Sequence, residues 1–182
     1  MSPPVERVSP RETWTSRSVL LAAVRDTAVV ALSFAIAGLA GALVWWQVTT
    51  LPQVTKAGDS ATLAPQELVR QVGIDGWFFV IAAVGGLLCG LALVAWRHRD
   101  PLLMVVLVAL GGGLASWLMT TIGLTLGPGE ELAALRGLED GAEVPMQLKL
   151  HAPGIAWVWP IAAVLGALGD LWVLRKPGAE QR

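Results

Sequence analysis

The 182-residue chain is 54% hydrophobic and 15% charged, with a formal net charge of −1 and a mean hydropathy of +0.61. Its apolar residues form long blocks that a water-soluble core of this length could not bury together, which excludes an ordinary soluble domain. The near-neutral charge excludes a nucleic-acid binder, because phosphate recognition needs Lys and Arg concentrated on one accessible face.

Residues 1–16 are polar and carry Pro3, Pro4 and Pro10, so a disordered tail is expected there. The apolar run Val19 to Val24 leaves the start of the first helix open. Crossing about 30 Å of hydrocarbon takes roughly 20 apolar helical residues, with every backbone polar group satisfied inside the segment. The first stretch that meets this requirement runs from Thr27 to about Val48. Arg7, Arg11, Arg17 and Arg25 precede it as in a secretory signal. Its length and its Leu43-Val44-Trp45-Trp46-Gln47 end, which lacks a small-x-small site, instead predict a retained anchor.

In the loop of residues 49–75, Pro65-Gln66-Glu67-Leu68-Val69-Arg70 predicts a short helix, with Pro in its first turn and an acid near its positive end. The second span runs from about Gly76 to Trp96. Asp75 stands at its entrance, where a carboxylate can cap orphan N–H groups and face the dipole. Arg97-His98-Arg99-Asp100 is a tight connection, and Pro101 opens the third span, which ends near Leu126. The second and third helices are therefore expected to be antiparallel neighbours.

The loop of residues 127–153 predicts a short helix over Glu130 to Leu138, a turn at Glu139-Asp140-Gly141, and an alternating strand from Val144 to His151. The two long loops are candidates to pack as one cap. The fourth span covers about Gly154 to Leu174, and residues 175–182 form a second tail. Asp170 lies about a turn inside its far end, with Arg175 or the hairpin residues Arg97 and Arg99 as expected partners.

Orientation follows from flanking cations. Arg7, Arg11, Arg17, Arg25, Arg97, Arg99, Arg175, Lys176 and Arg182 fall on one side of the four spans, against Lys56, Arg70, Arg136 and Lys149 on the other. The richer side is expected to be cytoplasmic, with both termini, and the long loops outside. Trp45, Trp46, Trp77, Trp157 and Trp159 would mark the outer interface, and Trp96 and Trp172 the inner one. The fold expected is an all-α four-transmembrane-helix bundle carrying two loops of mixed short helix and strand.

Helices in lipid associate by close approach of small residues. Ser33, Ala37 and Gly41, then Ala82, Gly86 and Gly90, then Ala109 and Gly113, and finally Ala162 and Gly166 recur at four-residue spacing. They predict packing within the bundle, with a homo-oligomer or a larger complex as the alternative.

The chain contains no phosphate loop, Gly-x-Gly-x-x-Gly, HExxH or nucleophile elbow. No catalytic, cofactor or metal residue is assigned. Cys89 has no disulfide partner and reads as structural. His98 and His151 fall on opposite sides of the membrane and cannot share a metal, whereas His151 could pair with Glu143 or Glu139. Ser33, Cys89, Ser116, Thr120 and Thr121 are the residues that could wet a pathway. Asp75, Gly76, Asp170, Arg97, Arg99, Gly86 and Gly90 remain as structural or interaction candidates.

Trp45-Trp46 closes a small-residue first span, and Ile74-Asp75-Gly76-Trp77-Phe78 leads into Gly85-Gly86-Leu87-Leu88-Cys89-Gly90. Gly111-Gly112-Gly113, Gly123-Leu124-Thr125-Leu126-Gly127 and Trp159-Pro160 follow. On these motifs the chain resembles, over about residues 35–174, the actinobacterial multi-pass membrane proteins grouped as a domain of unknown function. The resemblance implies a bacterial plasma membrane and adds no mechanism. A non-enzymatic accessory or assembly subunit of a membrane complex is the expected role, with a small transporter or channel component as the alternative. The partners expected are the lipid bilayer and other membrane proteins or a second copy, with no nucleic acid and no cofactor.

Overall fold

A computed structural model describes residues 11–96 and 101–174. Four long helices dominate: α1 over Arg11–Val48, α2 over Leu68–Trp96, α3 over Pro101–Leu126 and α5 over Val158–Leu174, with the single turn α4 at Glu131–Ala134 between the last two. The four long ones are apolar enough to cross a membrane. Leu32, Ile36, Val84, Leu88, Val106, Leu110 and Leu165 point outward and are exposed, the reverse of a water-soluble bundle.

Two helices begin earlier than the hydropathy predicts. Residues 11–16, expected to be disordered, belong to α1, while residues 1–10 lie outside the described residues. At about 1.5 Å per residue, the 38 residues of α1 extend about 57 Å, well beyond one hydrocarbon thickness. In α2, the short helix expected at residues 65–70 is a 3-10 turn at Pro65–Glu67 that runs directly into the span.

The helices are arranged cyclically as α1, α3, α5, α2. The α2–α5 and α1–α3 pairs pack most extensively, and α2 and α3 lie across the diagonal with little contact. Chain neighbours are thus not the main packing neighbours, contrary to what the tight hairpin suggested. Small residues explain the choice. A Cβ added to Gly86 would stand 2.7 Å from the Trp159 carbonyl oxygen, and one added to Gly90 or Gly166 would strike the facing backbone, so α2 and α5 approach at glycine distance. Similarly, a Cβ on Gly38 would meet the Ala115 carbonyl oxygen at 2.7 Å where α1 meets α3. Gly113, expected in such a face, has open space, and its neighbours Gly111 and Gly112 make the approaches to Phe34 and Pro160 instead.

The bundle interior is filled by Phe34, Trp45, Ile74, Phe78, Val108, Met119 and Trp159, all fully buried. Trp45 and Trp159 therefore belong to the core and not to an interfacial belt. Trp46, Trp77, Trp157, Trp96 and Trp172 are exposed, as interfacial anchors are.

At one end, the two long loops form one structure. β1 (Gln53–Ala57) pairs antiparallel with β2 (Ser60–Leu63) and with β3 (Glu143–Pro145), in the order β2-β1-β3. The β1–β2 turn places Gly58 at φ +61, with Asp59 at negative φ, the pattern of a II′ hairpin turn. The strand expected over residues 144–151 stops at Pro145, which has no N–H to extend the ladder. Beyond it, Met146 N–H still donates to the Pro52 carbonyl at 2.9 Å.

Candidate functional site

The most distinctive polar arrangement lies where the cap meets the bundle. Asp75 stands in the second turn of α2 and is 9% exposed. Because α2 starts at Leu68, Asp75 does not cap its own helix. Its carboxylate accepts the backbone N–H groups of His151 at 3.0 Å and Ala152 at 2.9 Å, just before the 3-10 turn Pro153–Trp157 that enters α5. A charged acceptor thus satisfies two donors of an irregular segment that no ladder serves.

The His151 side chain folds against the same group, with Nδ1 3.8 Å from Asp75 Oδ1. Both of its ring nitrogens are buried without a hydrogen bond among the described residues. The pairing with Glu143 or Glu139 considered from the sequence gives way to this one, because α2 and α5 run in the same direction and their entrances lie at the same level. Shared direction and matched glycine faces are the signals from which the Asp75–His151 approach could have been read.

Neighbouring polar groups tie the remaining helices together at this level. Trp45 Nε1 of α1 donates to the Ile74 carbonyl of α2 at 2.9 Å, and its ring meets Phe78 edge to face at 5.2 Å. Ser116 of α3 donates through Oγ to the Ala156 carbonyl at 2.7 Å. Thr120 Oγ1 donates to the Ser116 carbonyl, and Trp159 Nε1 points to Met119 Sδ at 3.3 Å. Ser116 and Thr120, two of the hydroxyls that could wet a pathway, are therefore spent on internal bonds.

The cap is similarly cross-braced. Lys56 N–H donates to the Ala142 carbonyl at 2.9 Å, Gly141 N–H to the Lys56 carbonyl at 3.0 Å, and Gly58 N–H to Asp140 Oδ1 at 3.1 Å. Glu67 accepts from Gln53 N–H and pairs with Arg70 at 3.0 Å. Glu131 pairs with Lys149 at 3.5 Å and accepts from Gln147 N–H at 3.4 Å. Burial pushes the Glu131 carboxyl up, but its own backbone N–H, the Lys149 charge and the Gln147 N–H outweigh burial and hold it below the ordinary glutamate value.

The remaining candidates are dispersed. Gly86 and Gly90 form the α2–α5 approach, whereas Gly76 is exposed and has open space around it. Asp170 is partly buried, and its Oδ2 has no hydrogen bond among the described residues. Arg97, Arg99 and Arg175 lie outside those residues. Among the described residues, no three His, Cys, Asp or Glu side chains gather as metal ligands. Both Asp75 oxygens already accept backbone N–H groups, so the carboxylate is committed to holding the chain.

No protein-family model matches this chain, and no solved structure matches it. It is 31% identical over 77 residues to the p-hydroxybenzoic acid efflux pump subunit AaeB of Edwardsiella tarda (strain FL6-60). The similar stretch is 42% of this chain and spans 12% of the length of that protein. With four apolar helices and a likeness to part of an efflux pump subunit, the chain is a membrane protein.

Proposed function

We propose that this chain is a non-enzymatic accessory or assembly subunit of a larger membrane complex in a bacterial plasma membrane, with both termini cytoplasmic and the cap outside. One observation carries the reading: two loops far apart in sequence are braced into a single sheet, and the cap is fastened to the bundle by a buried carboxylate. A pre-ordered surface loses little entropy on docking. The cation bias supports the orientation, and the sequence resemblance to actinobacterial proteins of unknown function supports the setting. The test is site-specific photo-crosslinking from Ala61 and Glu139 on the cap in intact membranes. A single recurrent membrane-protein adduct is expected, and a chain that stays solitary at both positions contradicts the reading.

A second reading, a component of a small-molecule transporter, is favoured by the likeness to an efflux pump subunit. In this reading the conducting route forms between chains, since the bundle interior is filled by aromatic side chains. Solute flux in vesicles holding the purified chain alone separates the two readings. Flux supports transport, and its absence beside a cap adduct supports the accessory role.

A further inference from the structure

The cap carries a cleft of about 360 Å³ between the β1–β2 turn and the segment after α4. That size falls within the range of small-molecule pockets. Its walls include Lys56 and Arg136, the apolar surfaces of Leu132 and Leu135, and Asp59 at the hairpin tip. Gly58 at φ +61 and Gly137 at φ +82 also line it, each in a backbone conformation that side chains disfavour and each with open space where a Cβ would stand. The glycines shape the walls and keep the opening clear.

The charges around the cleft are unevenly used. Arg70 is paired with Glu67, and Lys149 with Glu131. Lys56 directs one ammonium hydrogen to the Leu138 carbonyl, which fixes its position and leaves two donors. The Arg136 side chain is exposed and its guanidinium makes no hydrogen bond or ion pair with any described residue. An unpartnered guanidinium in a loop rich in carboxylates is notable, since a planar fork of donors matches a carboxylate two bonds at a time. Of the nearby acids, Asp140 uses Oδ1 on the Gly58 N–H. Asp59 lines the opening and can accept from a hydroxyl.

We infer that this cleft binds a small organic carboxylate with an apolar body. Arg136 and Lys56 hold the carboxylate, and the body lies on Leu132, which is 46% exposed, and on buried Leu135. The inference rests on the cleft alone and stands whether or not the chain docks to a partner or takes part in transport.

The test is calorimetric titration of the full-length protein in lipid nanodiscs with benzoate and hexanoate, beside benzamide and inorganic phosphate. Saturable binding of at least one carboxylate in the millimolar range or tighter is expected. Arg136→Gln should weaken it by about tenfold or more, Arg136→Lys by less, and Arg70→Gln should leave it unchanged. Protected backbone amides at Lys56 and Gly141 report that each variant keeps its cap. The inference is overturned if neither carboxylate saturates, if Arg136→Gln binds like the parent, or if benzamide or phosphate binds as tightly as the carboxylates.

Discussion

Replacing Asp75 with Ala removes the acceptor for the His151 and Ala152 N–H groups, which lie 3.0 and 2.9 Å from its oxygens. A hydrogen bond to a charged group contributes about 1.5–3 kcal/mol, and leaving a buried donor unmet costs about 1–3 kcal/mol. Two adjacent donors share one carboxylate that is 9% exposed, so their bonds are not fully additive and water can partly replace the loss. A total of about 2–4 kcal/mol follows. The loss falls on the junction between cap and bundle, so it should appear as local opening before global unfolding. Hydrogen exchange of the full-length protein in nanodiscs reads it directly. At about 1.4 kcal/mol per tenfold, protection at His151 and Ala152 should fall about 30- to 700-fold. The Phe34 and Val108 amides, inside α1 and α3, should stay protected. Asp75→Asn keeps the shape but turns an amide N–H toward a donor, so an intermediate loss is expected. Unchanged protection at 151 and 152 in Asp75→Ala would refute the assignment of the staple.

Gly86→Ala should cost about 1–3 kcal/mol, because the new methyl meets the Trp159 carbonyl at 2.7 Å and the α2–α5 pair must part. Gly76→Ala, with open space around it, should be neutral or stabilising by up to about 1 kcal/mol through helix propensity; thermal unfolding in detergent followed by size-exclusion recovery compares the two. The depressed Glu131 carboxyl means that its ionised form contributes stability above the ordinary value of about 4.3, and that this stability is lost as pH falls through the lower folded value. Cap stability followed by amide NMR should therefore fall as pH drops below the ordinary glutamate range in the parent and less so in Glu131→Gln.

The four spans and the mixed character of the loops were legible because they depend on hydropathy and turn chemistry, both local properties. α3 begins at Pro101 and ends at Leu126 as predicted, since proline opens it and Gly127-Pro128-Gly129 follows. Helix partners were less legible. Small-residue spacing marks faces that can approach but does not say which approach which, so the α2–α5 pairing and the distance between α2 and α3 needed coordinates. Local pattern also misassigned Trp45 and Trp159. Indoles near span ends suit an interface, yet these two find buried acceptors in the Ile74 carbonyl and Met119 sulfur. The candidate site followed the same rule. Asp75 stood out as a carboxylate beside a span, but its partners are 76 and 77 residues away and are backbone groups, which carry no mark in a sequence. Arg136 counted in the sequence only toward orientation, because an exposed arginine is ordinary until its neighbours prove to be paired elsewhere.

Topology mapping with a membrane-impermeant thiol label tests the threading on which the account depends. In a Cys89→Ser background, Asp59→Cys on the β1–β2 turn should label in intact cells, and His98→Cys between α2 and α3 should label only after permeabilisation. Labelling at position 98 with protection at position 59 would turn the cap toward the cytoplasm and contradict the orientation. Labelling at both positions in intact cells would contradict the span between them.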